Sequence, residues 1–245
     1  MLDRLVLRCL GGLRVVDHLG GQTLMSGLRI ESQTLRLART ASGVFQIIAA
    51  PGFEDYARSF DPIPAVAQQS FDFAVHDLSR RFLPVAGTIA LPRNAEPDAT
   101  DNRVDTPITV ALPSAGSRFP TAGVTALRVT LVDQHDAPIR GALVQARHAD
   151  SGDELGWGLS DRLGSAFVPL PGIPPLQAAA GDGGALETAI TPVRLRLTVD
   201  PARGWPANVT RLRTGAAPLI RRNPNLTVPL TAGGAVHRRL ALTLN

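Results

Sequence analysis

Leu127-Arg-Val-Thr-Leu-Val-Asp133, followed by Gln134-His-Asp-Ala-Pro138, Gly141-Ala-Leu-Val144 and Asp161-Arg-Leu-Gly164, and closing on Phe167-Val-Pro-Leu-Pro-Gly172, is the stretch that decides the fold. Its first run alternates apolar and polar side chains, the period at which a strand turns one face to a core. Asp133 ends the run, since Asp hydrogen-bonds its own backbone in a turn. Gly141 opens a second strand. The Asp161-x-x-Gly164 turn, whose Gly tolerates positive φ, precedes a third. The order strand, polar turn, strand, tight turn, strand is the outline of a β-sandwich.

Working outward, the same signals recur in the same order nearer the N-terminus. Leu13-Arg-Val-Val-Asp17 matches Val129-Thr-Leu-Val-Asp133, Gly27-Leu-Arg-Ile30 matches Gly141-Ala-Leu-Val144, Gly43-Val-Phe45 matches Gly164-Ser-Ala-Phe167, and Pro51-Gly52 matches Pro171-Gly172. Ten residues separate Asp17 from Gly27 and eight separate Asp133 from Gly141, a drift confined to turn length. The chain therefore reads as all-β: two tandem β-sandwich domains of Ig-like or transthyretin-like type. The first takes residues 1–93, residues 94–105 are the linker, and the second takes 106–245. Gly11-Gly12 is read as a strand break, residues 54–70 as a loop with one helical turn, and 173–187 as a long variable loop. Val193-Arg-Leu-Arg-Leu-Thr-Val199 is the cleanest amphipathic strand, with Arg194 and Arg196 on a wet outer face.

Composition narrows the classes of function. At 245 residues and 44% hydrophobic content the chain can bury a core without staples, and its 23 Gly and 20 Pro cut that content into short, strand-sized pieces. All 25 basic residues are Arg, so the pI near 10.7 reflects an Arg-for-Lys bias rather than phosphate recognition. Aromatic residues are 4% of the chain, too sparse for repeated stacking on bases or sugars. One cysteine, Cys9, excludes an internal disulfide and reads as a small buried thiol on a strand. No apolar run reaches the length of a signal peptide or a membrane span. Cytoplasmic synthesis without a Sec signal, and no membrane span, are the expectation.

No catalytic constellation accompanies this fold. His18, His76, His135, His148 and His237 are scattered, with none at metal-ligand spacing. The pairs His76-Asp77 and His135-Asp136 set adjacent residues on opposite faces or in a turn. Asp150, Asp153 and Glu154 around Gly152 place oxygens close enough for calcium but lack the EF-hand pattern, and read as a hairpin tip. No nucleophile elbow, phosphate loop or dinucleotide fingerprint is present. No enzyme activity, cofactor or metal is expected, nor is nucleic acid as a partner. The charge is unevenly spread: residues 201–245 hold Arg203, Arg211, Arg213, Arg221, Arg222, Arg238 and Arg239 with no acid. Among these Arg211, Arg213, Arg221 and Arg222 are the candidate partner-docking residues, and the turn signal Asn223-Pro224 should leave Arg221 and Arg222 in solvent.

Val132-Asp133, Ala137-Pro-Ile-Arg-Gly141-Ala-Leu-Val144 and Asp161-x-x-Gly164 together resemble the carboxypeptidase regulatory-like domain, a transthyretin-like β-sandwich. That resemblance implies a module without activity of its own; the first half keeps only Ser42-Gly43 at the tight turn. The longer layout, with Arg81-Phe-Leu-Pro84, Leu91-Pro92, Val110-Ala-Leu-Pro113 and Val228-Pro-Leu-Thr-Ala-Gly233, is similar to two-domain accessory proteins of phage-tail-like contractile injection systems. It implies a structural or adaptor component of such a particle, binding the particle's other protein subunits. A carbohydrate-binding or adhesive module and an accessory domain acting on an enzyme in trans are the rival readings.

Overall fold

The structure, a computed structural model, describes residues 8–60, 65–95, 102–117, 124–178, 186–202, 204–215, 218–224 and 226–243. The chain divides into two compact units, one of residues 1–79 and 84–112 and the other of residues 80–83 and 113–245. The first contains β1 (Gly11–Asp17), β2 (Leu28–Glu31), β3 (Arg36–Arg39), β4 (Phe45–Ala49), α1 (Glu54–Arg58), β5 (Gln69–Asp77), β6 (Val85–Leu91) and β7 (Ile108–Leu112). β1 runs between β4, antiparallel, and β7, parallel, with β3 beyond β4. In the facing sheet β5 lies between β2 and β6. Alternation places Leu13 and Val15 of β1, Ile47 of β4, Val75 of β5 and Ile89 of β6 fully inside. Phe53 closes one end of this core, edge-on to Tyr56 and Phe71 with ring centroids 6.0 and 5.9 Å away.

The second unit contains β8 (Thr125–Asp133), β9 (Leu143–His148), β10 (Glu154–Leu159), β11 (Ser165–Leu170), β12 (Leu176–Ala178), β13 (Leu186–Thr188), β14 (Thr191–Val199), β15 (Ala207–Asn208), α2 (Val209–Thr214), β16 (Ile220–Arg222), β17 (Thr227–Leu230) and β18 (Ala235–Leu242). β8 runs between β11, antiparallel, and β18, parallel. In the facing sheet β9 lies between β10 and β14, and the far edge of β14 is shared by β17 at its start and β16 at its end. Leu127, Val129 and Leu131 of β8 meet Val144, Ala146, Val193, Leu195 and Leu197 in one core.

The two units share a topology that the sequence repeat only suggested. In each, the first strand is flanked by an antiparallel fourth and a parallel last strand, and the second strand pairs with the fifth major strand. Equivalent glycines take equivalent backbone: Gly43 and Gly164 have φ of 82° and 75°, Gly52 and Gly172 of 79° and 81°. Acids at strand ends act alike, with Asp17, Asp77, Asp133 and Asp200 each accepting the backbone N–H two residues on, at 2.8 to 3.0 Å. The motifs of the deciding stretch meet around Ser160, whose buried Oγ donates to the Ile139 carbonyl at 2.6 Å and accepts from the Ala142 N–H at 2.9 Å. A satisfied buried hydroxyl of this kind fixes the geometry between the two turns.

Several expected boundaries change. Residues 94–105 do not separate the units: they lead into β7, which joins the first unit by pairing with β1 from Leu13↔Ile108 to Asp17↔Leu112. Closing each sandwich with a parallel last strand requires a long connection, and its polar composition resembles that of a linker. Gly11-Gly12 begins β1 instead of breaking it. The loop read at 173–187 carries β12 and the start of β13, which pair as a hairpin, and 207–222 supplies α2 and β16, which lack the apolar alternation of the longer strands.

β10, Glu-Leu-Gly-Trp-Gly-Leu, carries no strand signal of its own, because glycine is depleted in strands. Here glycine is what admits the strand: a Cβ on Gly156 would strike the Pro169 carbonyl oxygen and one on Gly158 the Phe167 carbonyl oxygen. β10 thus packs its backbone onto β11 while bonding to β9. Its counterpart β3 instead pairs with β4, and the first unit has an open cleft of about 890 Å³ lined by Ile30, Leu35, Leu37, Phe71 and Phe73. Gly158→Ala is expected to destabilise the second unit by about 1–3 kcal/mol, the usual cost of overpacking. Gly204→Ala, with nothing within 4 Å of the added carbon, is the near-neutral control. Both tryptophans lie in this unit, so urea unfolding followed by their fluorescence reads the difference, and equal midpoints would contradict the close approach.

Candidate docking surface

Of the four candidate docking arginines, two have acidic partners. α2 is capped by Asn208, whose Oδ1 accepts the Arg211 N–H at 3.0 Å, and ends at Gly215 in the left-handed conformation with φ 77°. On this helix Arg211 Nη1 lies 3.6 Å from Asp200 Oδ2, and Arg213 Nη2 donates to Glu154 Oε1 at 2.7 Å while its guanidinium stands 5.5 Å over the Trp157 ring. Arg222 is half-buried and its Nε donates to the Thr243 carbonyl at 3.2 Å, contrary to the expectation that it stands free in solvent. Arg221 is exposed, and its guanidinium lies where a Cβ on Gly215 would fall. The reason is β16: Arg221 and Arg222 are not turn residues but strand residues, paired with Thr198 and Leu197. Of the remaining tail arginines, Arg239 pairs with Asp136 at 2.8 Å, and Arg203 lies outside the described residues.

The outer face of the β10-β9-β14 sheet collects the positive charge that the tail does not. With Val144, Ala146, Val193, Leu195 and Leu197 turned into the core, Gln145, Arg147, Arg194 and Arg196 point the other way. Register sets Glu154, Arg147, Arg194 and Thr227 in one row across four strands, and Trp157, Gln145 and Arg196 in the next. α2 touches β9 and β14, with Leu212 buried, and leaves Leu143, Leu159 and Thr198 covered beyond those rows. Arg194 is exposed, and Arg147 and Arg196 are half-buried.

The charge of Glu154 is balanced by Arg213. One of its oxygens accepts from Arg213 at 2.7 Å and the other from Gln145 Nε2 at 2.6 Å. A double-mutant cycle of Glu154→Gln with Arg213→Gln should give a coupling of at most about 1 kcal/mol, the scale of a partly exposed pair, measured by urea unfolding. A coupling several times larger would mean the pair is more desolvated than its exposure indicates.

The other acids and histidines flagged in the sequence serve turns. Asp133 holds His135 and Ala137 through their N–H groups, Asp161 holds Leu163 and Ser165, and His148 Nδ1 accepts the Asp150 N–H at 3.2 Å. With both Glu154 oxygens engaged, Asp150, Asp153 and Glu154 do not converge on a cation site. Among the described residues no group of three His, Cys, Asp or Glu side chains is placed to hold a metal ion, and no helix is long and apolar enough to cross a membrane.

Fold and surface together define a tandem β-sandwich protein with a basic sheet face on its second unit. No family model matches the chain, and no curated protein matches it. Among solved structures, a candidate cell adhesion protein from Bacteroides fragilis is similar at 11% identity, covering 96% of this chain and 93% of that one, with a TM-score of 0.22. A score that low lends no weight to either the fold or a role.

Proposed function

We propose that this protein is a non-enzymatic structural or adaptor component that binds other protein subunits through its second sandwich, within a phage-tail-like contractile particle assembled in the cytoplasm. The observation that carries the reading is the basic face of the β10-β9-β14 sheet, where three arginines stand beside one acid that is already paired with Arg213. Its support also includes the use of Asp17, Asp77, Asp133, Asp161 and Asp200 as turn caps, a structural employment for the acids most suited to chemistry. The carboxypeptidase regulatory-like resemblance of residues 132–164 adds the expectation of a transthyretin-like module acting by contact. Affinity purification from the native host is the test. Co-purification of sheath or baseplate subunits is expected; a protein that purifies alone under mild salt overturns the reading.

A second reading, an adhesive or carbohydrate-binding module, is favoured by one observation: the cleft of the first unit, whose apolar floor is rimmed by Glu31, Ser32, Gln33, Thr34 and Asp72. Binding to an immobilised glycan panel that Asp72→Ala abolishes would favour it over the first.

A further inference from the structure

Arg147 and Arg194 are directly opposite each other on neighbouring antiparallel strands, and Arg196 is two residues further along on the same face. Like charges in such a pair destabilise a sheet. Three other arginines of this unit, Arg211, Arg213 and Arg239, do meet acids. Arg147, Arg194 and Arg196 make no ion pair or side-chain hydrogen bond with any described residue. Arg147 adds an independent sign: its Nε is buried and has no hydrogen-bond partner. A buried donor left unsatisfied is costly, and the three guanidinium groups, with the neighbouring Glu154 already paired to Arg213, repel one another. An anion arriving on the face offsets that repulsion.

We propose that Arg147, Arg194 and Arg196 form a docking platform for an extended acidic segment of a partner protein. The inference rests on the protein-binding reading above and names the surface and the chemistry of what it takes. Arg194 and Arg196, two residues apart on a strand, are spaced by roughly 7 Å, the repeat at which alternate side chains of an extended chain present carboxylates. Arg147 lies one strand away, about 5 Å across and opposite Arg194, so the three guanidinium groups mark a basic strip about one extended chain wide. Arg forks pair carboxylates through two parallel hydrogen bonds. The Arg213–Glu154 pair borders the strip on one side and Thr227 on the other, and Trp157, the aromatic residue of this face, is buried beneath Arg213. A nucleic acid strand would find no ring to stack on there, which favours a peptide.

The test uses the full-length protein and a fluorescein-labelled peptide of ten glutamates, titrated by anisotropy at low and moderate salt. Wild type is expected to bind, more weakly as salt rises, and the triple variant Arg147→Gln, Arg194→Gln, Arg196→Gln to lose about tenfold or more in affinity. Because the substitutions relieve repulsion, the melting temperature of the variant is expected to stay the same or rise. A variant carrying Arg14→Gln, Arg36→Gln and Arg58→Gln removes the same charge from exposed positions of the first unit and should bind as wild type does. Equal loss in both variants would reduce the effect to net charge and overturn the platform, as would unchanged binding in the first. A single-stranded thymidine oligonucleotide that binds tighter than the peptide, and depends on the same three arginines, would overturn the assignment to a protein segment. Peptide binding lost with the three arginines in a protein that still co-purifies with nothing would sink the particle reading while leaving the platform standing.

Discussion

A fragment of residues 1–93 is expected not to fold, and a fragment of residues 1–117 is expected to fold cooperatively. The shorter piece carries every strand of the first unit except β7. Without β7 the edge of β1 loses its parallel ladder from Leu13 to Asp17 and the core loses Leu112, which is fully buried. Burying one leucine contributes about 1.5–3 kcal/mol, and the half-buried Ile108 and Val110 add to it, against a total domain stability of roughly 5–15 kcal/mol. The newly exposed β1 is also a long apolar edge, the kind that aggregates. Circular dichroism melting and dispersion of amide proton signals compare the two pieces. A cooperative melt of fragment 1–93 at the temperature of fragment 1–117 would show that β7 is dispensable and that 94–105 is an interdomain linker after all.

Phe53→Ala is expected to cost the first unit about 3–5 kcal/mol, the range for emptying a buried phenylalanine site. Phe53 is 1% exposed and makes edge contacts with both Tyr56 and Phe71, so its removal leaves a cavity and forfeits two aromatic pairs. Phe60→Ala makes the same chemical change at a side chain that is 52% exposed, where the loss is limited to the stacking of Arg8 at 5.4 Å. That substitution should cost under about 1 kcal/mol. Urea unfolding monitored by circular dichroism gives both values. A Phe53→Ala protein as stable as the Phe60→Ala protein would mean that this end of the core relaxes to fill the space.

The all-β class, the two sandwiches and most of the strands were legible because each depends on local signals that act within a few residues. Period-2 alternation sets which face of β8 or β14 is buried, and an Asp or Gly at a strand end sets the turn. Asp17 and Asp133, or Gly43 and Gly164, carry out the same local task in both units, so their recurrence could be read from the residues alone. The outer position of Arg194 and Arg196 belongs to the same class, since it follows from alternation along one strand.

What only the tertiary structure decided are the pairings between distant segments. β7 and β18 join their sheets across connections whose residues say nothing about which neighbour they will reach. β10 exists because two glycines bring its backbone against β11, although glycine locally argues against a strand. The acid excess of residues 124–200 offered the tail arginines counter-charges, but which arginine meets Asp200, Glu154 or Asp136 depends on acids that are far away in sequence or on other strands. Arg147 drew no notice in the sequence, being one Arg beside a His; it matters because register sets it against Arg194, which lies 47 positions further along the chain. Local dihedral and solvation preferences are written in the order of residues, whereas cross-strand contacts depend on which strands close the barrel of space between two sheets, and that is settled by packing.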